Sequence, residues 1–155
     1  MSEENPVMLV FLRHFGCVFC RDALRELSGL QNYFIEKQVQ LIFVHMSEDD
    51  VAQTFFEKYD LHEIESISDP TCDLYASFGL GKGNFNQLFG LKSLMKGFEA
   101  TMHGTMISLK QIGDGFQMPG IFIISKGAIV SSYIHQTASD RPDYKNLIDN
   151  CRVKS

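Results

Sequence analysis

Three things are scarce in this chain. Basic charge is the first: 14 Lys+Arg stand against 19 Asp+Glu, a formal charge of −5. With no Lys/Arg cluster, this argues against nucleic acid and against anionic membrane surfaces as partners. Long apolar runs are the second. None approaches the roughly 20 residues of a membrane span. The first run, Val7 to Leu12, follows Glu3 and Glu4 and not a basic stretch, so it does not read as a signal peptide. Cysteine is the third: four in 155 residues are too few for a disulfide-stapled secreted scaffold. Internal repeats and low-complexity tracts are also lacking. These absences lead us to expect a reducing, cytoplasmic setting. What is present is an ordinary globular balance, 45% apolar and 21% charged, which excludes a disordered chain. The length suits one domain, residues 1–155, with room for an insertion.

The order of patterns predicts an α/β fold. Val7 to Leu12 is apolar at every position, as a central strand buried on both faces requires. Leu24, Leu27, Leu30 and Phe34 then recur at three- and four-residue steps, predicting one amphipathic helix to about Lys37 that Gly29 weakens without ending. Val39 to His45 reads as a second strand. Ser47-Glu48-Asp49-Asp50 has the form of a helix N-cap with an acidic first turn, opening a helix to Tyr59. A β-α-β-α order implies a mostly parallel sheet with right-handed crossovers. Thr71 to Phe78 reads as a short helix closed by Gly79. Residues 79–120 hold nine of the twelve glycines and surround an apolar helical stretch from Phe85 to Met102, which predicts an irregular insertion at about 71–117. The Met- and Phe-rich part, 85–118, suits core or homodimer packing better than a substrate groove. After Pro119 come a strand (120–125), a Lys126-Gly127 turn, a partner strand (128–135) and a closing helix (143–151).

The chemistry centres on Cys17-Val18-Phe19-Cys20. The pair follows a buried strand and opens a helix, where backbone amides without intrahelical partners carry partial positive charge. A free thiol pKa of about 8.5 falls at such a place. Cys17, before the first turn, is expected to be the exposed attacking thiolate. Cys20, one turn in, is expected to be the shielded resolving thiol that closes a Cys17–Cys20 disulfide. Arg13, His14 and Arg21 flank the pair as solvated charges or as cations that favour the thiolate. A metal reading uses His14, Cys17 and Cys20, but a fourth ligand with regular spacing is missing. Neither a metal nor an organic cofactor is expected. Cys72 and Cys151 read as incidental in preference to distant resolving thiols, and His45, His62, His103 and His135 have no spaced partner.

The order of these elements resembles the thioredoxin fold: a central mixed sheet of four or five strands, with Cys-x-x-Cys opening a helix and a Pro before the last hairpin. That resemblance implies a cis Pro119, with Met118 beside the cysteines offering backbone hydrogen bonds to substrate. Phe11 to Arg21, the Asp69-Pro70…Leu74-Tyr75…Phe78-Gly79 segment and Gln117-Met118-Pro119-Gly120-Ile121-Phe122 are similar to the peroxiredoxin-like branch of the alkyl hydroperoxide reductase/thiol-specific antioxidant group, over roughly residues 7–149. The group's Pro-x-x-x-Thr-x-x-Cys pattern is not met in either register. With Cys20 as its cysteine the two positions are Arg13 and Cys17; with Cys17 they are Val10 and His14. The resemblance implies a thiol–disulfide oxidoreductase in redox homeostasis, reduced by thioredoxin or a small thiol. Its rival within redox chemistry is reduction of hydrogen peroxide or alkyl hydroperoxides. The rival outside it is a non-catalytic binding module or metal-binding protein on the same scaffold.

Overall fold

The computed structural model describes residues 5–15, 17–82, 117–136 and 140–153. Strand β1 (Val7–Phe11) is buried at every position. Met8 and Val10 enter one core, while Val7, Leu9 and Phe11 enter another on the opposite face. Alternation with both faces apolar is what a continuous apolar run encodes. β1 pairs in parallel with β2 (Gln40–His45) and antiparallel with β4 (Gly120–Ser125). Beyond β2 lies β3 (Glu65–Ser68), parallel; beyond β4 lies β5 (Ala128–Ile134), antiparallel. The five-stranded sheet runs β3-β2-β1-β4-β5, a mixed sheet with β1 at its centre.

Helices cover the first face: α1 (Val18–Gly29), α2 (Gln31–Lys37), α3 (Asp49–Lys58) and α5 (Tyr144–Val153). Cys20, Leu24 and Leu27 of α1 pack with Phe34, Phe56, Tyr144 and Ile148 against Met8, Val10 and Phe43. Each fully buried Leu contributes about 1.5–3 kcal/mol of hydrophobic stabilisation. The other face is covered by α4 (Asp73–Ser77), whose Tyr75 packs with Phe11, Val44, Leu80 and Phe122.

Four local features depart from the expectations or add to them. The single helix to Lys37 is two helices. Leu30 leaves helical geometry at φ −101° and ψ 5°, and its N–H turns to Leu27 O. The Gln31 side-chain amide then donates to the Ser28 carbonyl at 3.2 Å, satisfying an acceptor at the break. Strand β3 carries no apolar alternation (Glu-Ser-Ile-Ser) and exists through parallel pairing to β2. The N-cap of α3 is Glu48, while Ser47 is buried and its carbonyl accepts from Ser68 Oγ at 2.7 Å. The fourth is the cis Met118–Pro119 bond, which is absent: every described peptide bond is trans. Trans is the lower-energy isomer of an X–Pro bond by about 0.5–1 kcal/mol. The extended chain is fastened on both sides, by Met118 N–H to Gly81 O at 3.1 Å and by His135 N–H to Pro119 O at 3.4 Å. The apolar helix expected over 85–102 lies outside the described residues, as does residues 83–116 of the insertion. The ends of that stretch meet, since Lys82 and Gln117 form an antiparallel bridge.

Candidate active site at the start of α1

The chain leaves β1 through Leu12, Arg13, His14 and Phe15. Phe15 is the anchor of this loop. It stacks on Phe55 at 4.7 Å between ring centroids and meets Phe56 edge-on at 5.8 Å. With Phe15 fixed, Cys17 falls at the N-cap of α1, in extended geometry, and its N–H bonds His14 O at 3.0 Å. An N-cap is usually Ser, Thr, Asp or Asn. Here no side chain caps the helix and no acidic residue stands in its first turn. The positive end of the helix dipole is therefore not offset by the helix's own side chains. Cys20 sits in that first turn.

The expected contrast between an exposed Cys17 and a shielded Cys20 is not found. They are 6% and 4% exposed, because both pack into the core beneath α1. Both are free thiols. Burial pushes the Cys20 thiol well above the ordinary range, and negative charge on Cys17 adds to this; Arg13 and Arg21 pull the other way and do not offset it. Those two cations are thus placed to act on the pair. Arg13 is buried. Arg21 donates from Nε to Phe15 O at 3.0 Å and lays its guanidinium 5.9 Å from the Phe55 ring centroid. His14 is buried and takes part through its carbonyl. Met118 packs against Phe19, inside the Cys-x-x-Cys segment. Its backbone is already used: the N–H goes to Gly81, and the carbonyl accepts from Gln117 Nε2 at 3.3 Å.

A cavity of about 40 Å³ opens between α1, the ends of β1, β4 and β5, and the segment leading into α5. Cys20, Arg13 and Pro119 line it; Cys17 does not. Its wall also includes residues the sequence did not single out: Glu26, His135, Asp140, Arg141 and Tyr144. For His135 a signal existed, since it ends the strand that pairs beside Pro119. Reading it needs the hairpin register, and that register shifts at a bulge between Ile123 and Ile124. Arg141 is held by Asp22 of α1 at 2.8 Å. Among the described residues, no group of three or more His, Cys, Asp or Glu is arranged to hold a metal ion, and no helix is long and apolar enough to cross a membrane.

A second polar cluster lies across the sheet. The Asp69 carboxylate accepts the amides of Asp73, Leu74 and Tyr75 at 3.2, 2.8 and 3.2 Å, capping α4. The Tyr75 hydroxyl lies 2.5 Å from Leu12 O and 3.0 Å from Val44 O and shares its one proton between them, tying the end of β1 to β2. This explains the Asp69…Tyr75 motif as architecture that steadies the loop leading to Cys17.

The chain is similar to solved peroxiredoxins. Peroxiredoxin Q of Xanthomonas campestris superimposes with a TM-score of 0.67 at 12% identity, over 99% of this chain and 82% of that one. Peroxidoxin BcpB of Mycobacterium tuberculosis gives 0.66 at 13%, over 97% and 80%. These likenesses establish the fold, which is thioredoxin-like of the peroxiredoxin type. In sequence, the chain is 27% identical over 158 aligned positions to the thioredoxin-like protein AAED1, chloroplastic, of Arabidopsis thaliana. It covers 96% of this chain, which spans 63% of that relative's length. The model of the AhpC/TSA family matches residues 1–132, a stretch that holds β1, the Cys17–Cys20 segment and the strand after Pro119, and the chain belongs to that family.

Proposed function

We propose that this protein is a thiol–disulfide oxidoreductase of cellular redox homeostasis whose active pair is Cys17 and Cys20. The observation that carries this is the placement of the two sulfurs: Cys17 occupies the N-cap position of α1, where no side chain caps the helix, and Cys20 stands one turn on with a thiol that burial keeps protonated. A helix N-terminus favours negative charge on the first sulfur. The second waits as a thiol until the first has reacted. Cys17 thiolate attacks a substrate disulfide, forming a Cys17–substrate bond as one substrate thiolate leaves. Cys20 then gives up its proton and attacks the Cys17 sulfur, releasing the second substrate thiol. Two electrons pass from the dithiol to the substrate. Thioredoxin or a small cellular thiol returns them by reducing the Cys17–Cys20 disulfide. We place this work in the reducing cytoplasm, where such thiols maintain the pair.

Alkylation at Cys17 and Cys20, followed separately by mass spectrometry, tests this. At pH 7 Cys17 is expected to be alkylated faster than Cys20, whose thiol burial keeps protonated. Alkylation of Cys17 at pH 7 no faster than that of Cys20 overturns the proposal.

Family membership and the 40 Å³ cavity beside Cys20 favour one second reading, reduction of a small hydroperoxide. Hydrogen peroxide would then oxidise the reduced protein far faster than a free thiol. Equal rates remove that reading.

A further inference from the structure

Burial of Cys20 sets a problem that the proposed exchange must solve: its thiol has to lose a proton inside the fold. We propose that His135 accepts this proton when Cys20 attacks the Cys17 mixed disulfide, through a water in the cavity that both residues line. The proposal rests on the reading of Cys17 and Cys20 as an exchange pair.

Cys20 and His135 line the same cavity of about 40 Å³, which exceeds the roughly 10–15 Å³ that one water requires, and Arg13, Asp22 and Asp140 bring polar groups to its wall. His135 is the only imidazole among its described lining residues. It follows β5 immediately, with its N–H on Pro119 O and its ring edge-on to Tyr133 at 5.2 Å. Its Nδ1 is closed to water, which leaves Nε2 as the nitrogen to meet a cavity water. Burial lowers its affinity for a proton below the ordinary imidazole value. The Asp140 carboxylate and backbone groups of Pro119 and Asp140 restore part of it. The ring is therefore neutral at pH 7, with a lone pair to offer.

The other groups facing this space suit the role less well. Arg13 and Arg141 accept no proton at neutral pH. The Asp22 carboxylate is engaged by Arg141 at 2.8 Å and Arg25 at 3.3 Å. The Asp140 carboxylate accepts the Gln136 amide at 2.7 Å. Glu26 is exposed to solvent. The Tyr144 hydroxyl, pushed up chiefly by burial, stays protonated.

The step balances. The cavity water takes the Cys20 proton as it hands one to His135. The Cys20 electron pair forms the Cys20–Cys17 bond. The bond from Cys17 to the substrate sulfur breaks, and its pair leaves on the substrate thiolate, which the imidazolium reprotonates.

The experiment mixes reduced full-length protein, in a Cys72→Ser background, with a chromogenic bis(nitrobenzoate) disulfide. Cys17 attack releases one coloured thiolate; resolution by Cys20 releases a second. In the parent protein the second phase should rise with pH through a break below 6.5 and then level off. In His135→Gln the second phase should slow at least about tenfold at pH 7, with the break gone and the rate rising with hydroxide, while the first phase stays within about twofold. A second phase unchanged in rate and pH profile overturns the proton path alone. So does equal slowing of both phases. If His135→Gln fails to fold, the parent profile decides, and a second phase that climbs without a break to the ordinary thiol range overturns it. Absence of a Cys17 adduct, read by mass spectrometry, overturns the exchange pair and the proton path together.

Discussion

The end of β1 faces two polar environments that are built differently. Toward α4, the groups are closed: three amides converge on Asp69, and the Tyr75 hydroxyl shares its proton between two carbonyls. Toward α1 and α5, Cys20, Arg13 and His135 surround open space. The same strand feeds both. A closed network rigidifies, whereas buried polar groups left around a cavity are where chemistry is placed. The motif in residues 69–79 therefore belongs to stability, and the groups proposed to react lie on the opposite side of the sheet.

Substitutions on the two sides should separate these roles. The largest expected effect is on the cavity side. Cys20→Ser should stop exchange at the first step, trapping a substrate adduct on Cys17 and halving the thiol released per protein, as read by absorbance and intact mass. On the closed side, Asp69→Ala removes three charge-assisted bonds and a helix cap. A loss of about 2–3 kcal/mol in urea unfolding is expected, with thiol-release rates in the folded protein unchanged. Tyr75→Phe takes a hydroxyl from the Leu12 carbonyl, while the Val44 carbonyl keeps the Leu12 N–H at 2.9 Å, and should cost about 1–2 kcal/mol by the same measurement.

A smaller effect links both sides through pH. Burial lowers the proton affinity of His45 and of His135; His45 has its Nδ1 2.9 Å from Ser47 O, and Asp49 stands 3.8 Å from its Nε2. Below about pH 6.5 the unfolded chain's imidazoles take up protons that the folded ones refuse. The unfolded state then binds more protons, so stability rises with pH through this window and is lost as pH falls. Urea midpoints at pH 5.5 and 7.5 should differ in that direction, and less so in His135→Gln. Least of all is expected from Arg141→Ala. Its pair with Asp22 is largely solvated, and its loss should cost no more than about 1 kcal/mol in the same unfolding experiment.

Much of the architecture was legible. β1, β2, the β4–β5 hairpin and the closing helix follow from apolar runs and one turn, because burial on both faces or at a 3.6-residue step writes itself into residue type. β3 was not legible, since an edge strand of Glu, Ser, Ile and Ser is recruited by its neighbour and carries no alternation of its own. The helix break at Leu30 depends on a side-chain bond from Gln31, which no periodicity contains. At the site, the cysteine pair and its flanking arginines could be read from the sequence. His135 could not, because one bulge residue decides whether Ile134 or His135 comes opposite Pro119, and a one-residue slip turns every side chain to the other face. Ile134 is accordingly 51% exposed.

By itself, the sequence determined β1, β2, the β4–β5 hairpin, the closing helix and the position of two sulfurs at a helix start, since these depend on neighbours along the chain. Tertiary structure decided how deeply each sulfur is buried, the trans state of Pro119, and which distant groups share space with Cys20. Those follow from close packing and strand register, which join residues more than a hundred positions apart and leave no local pattern behind.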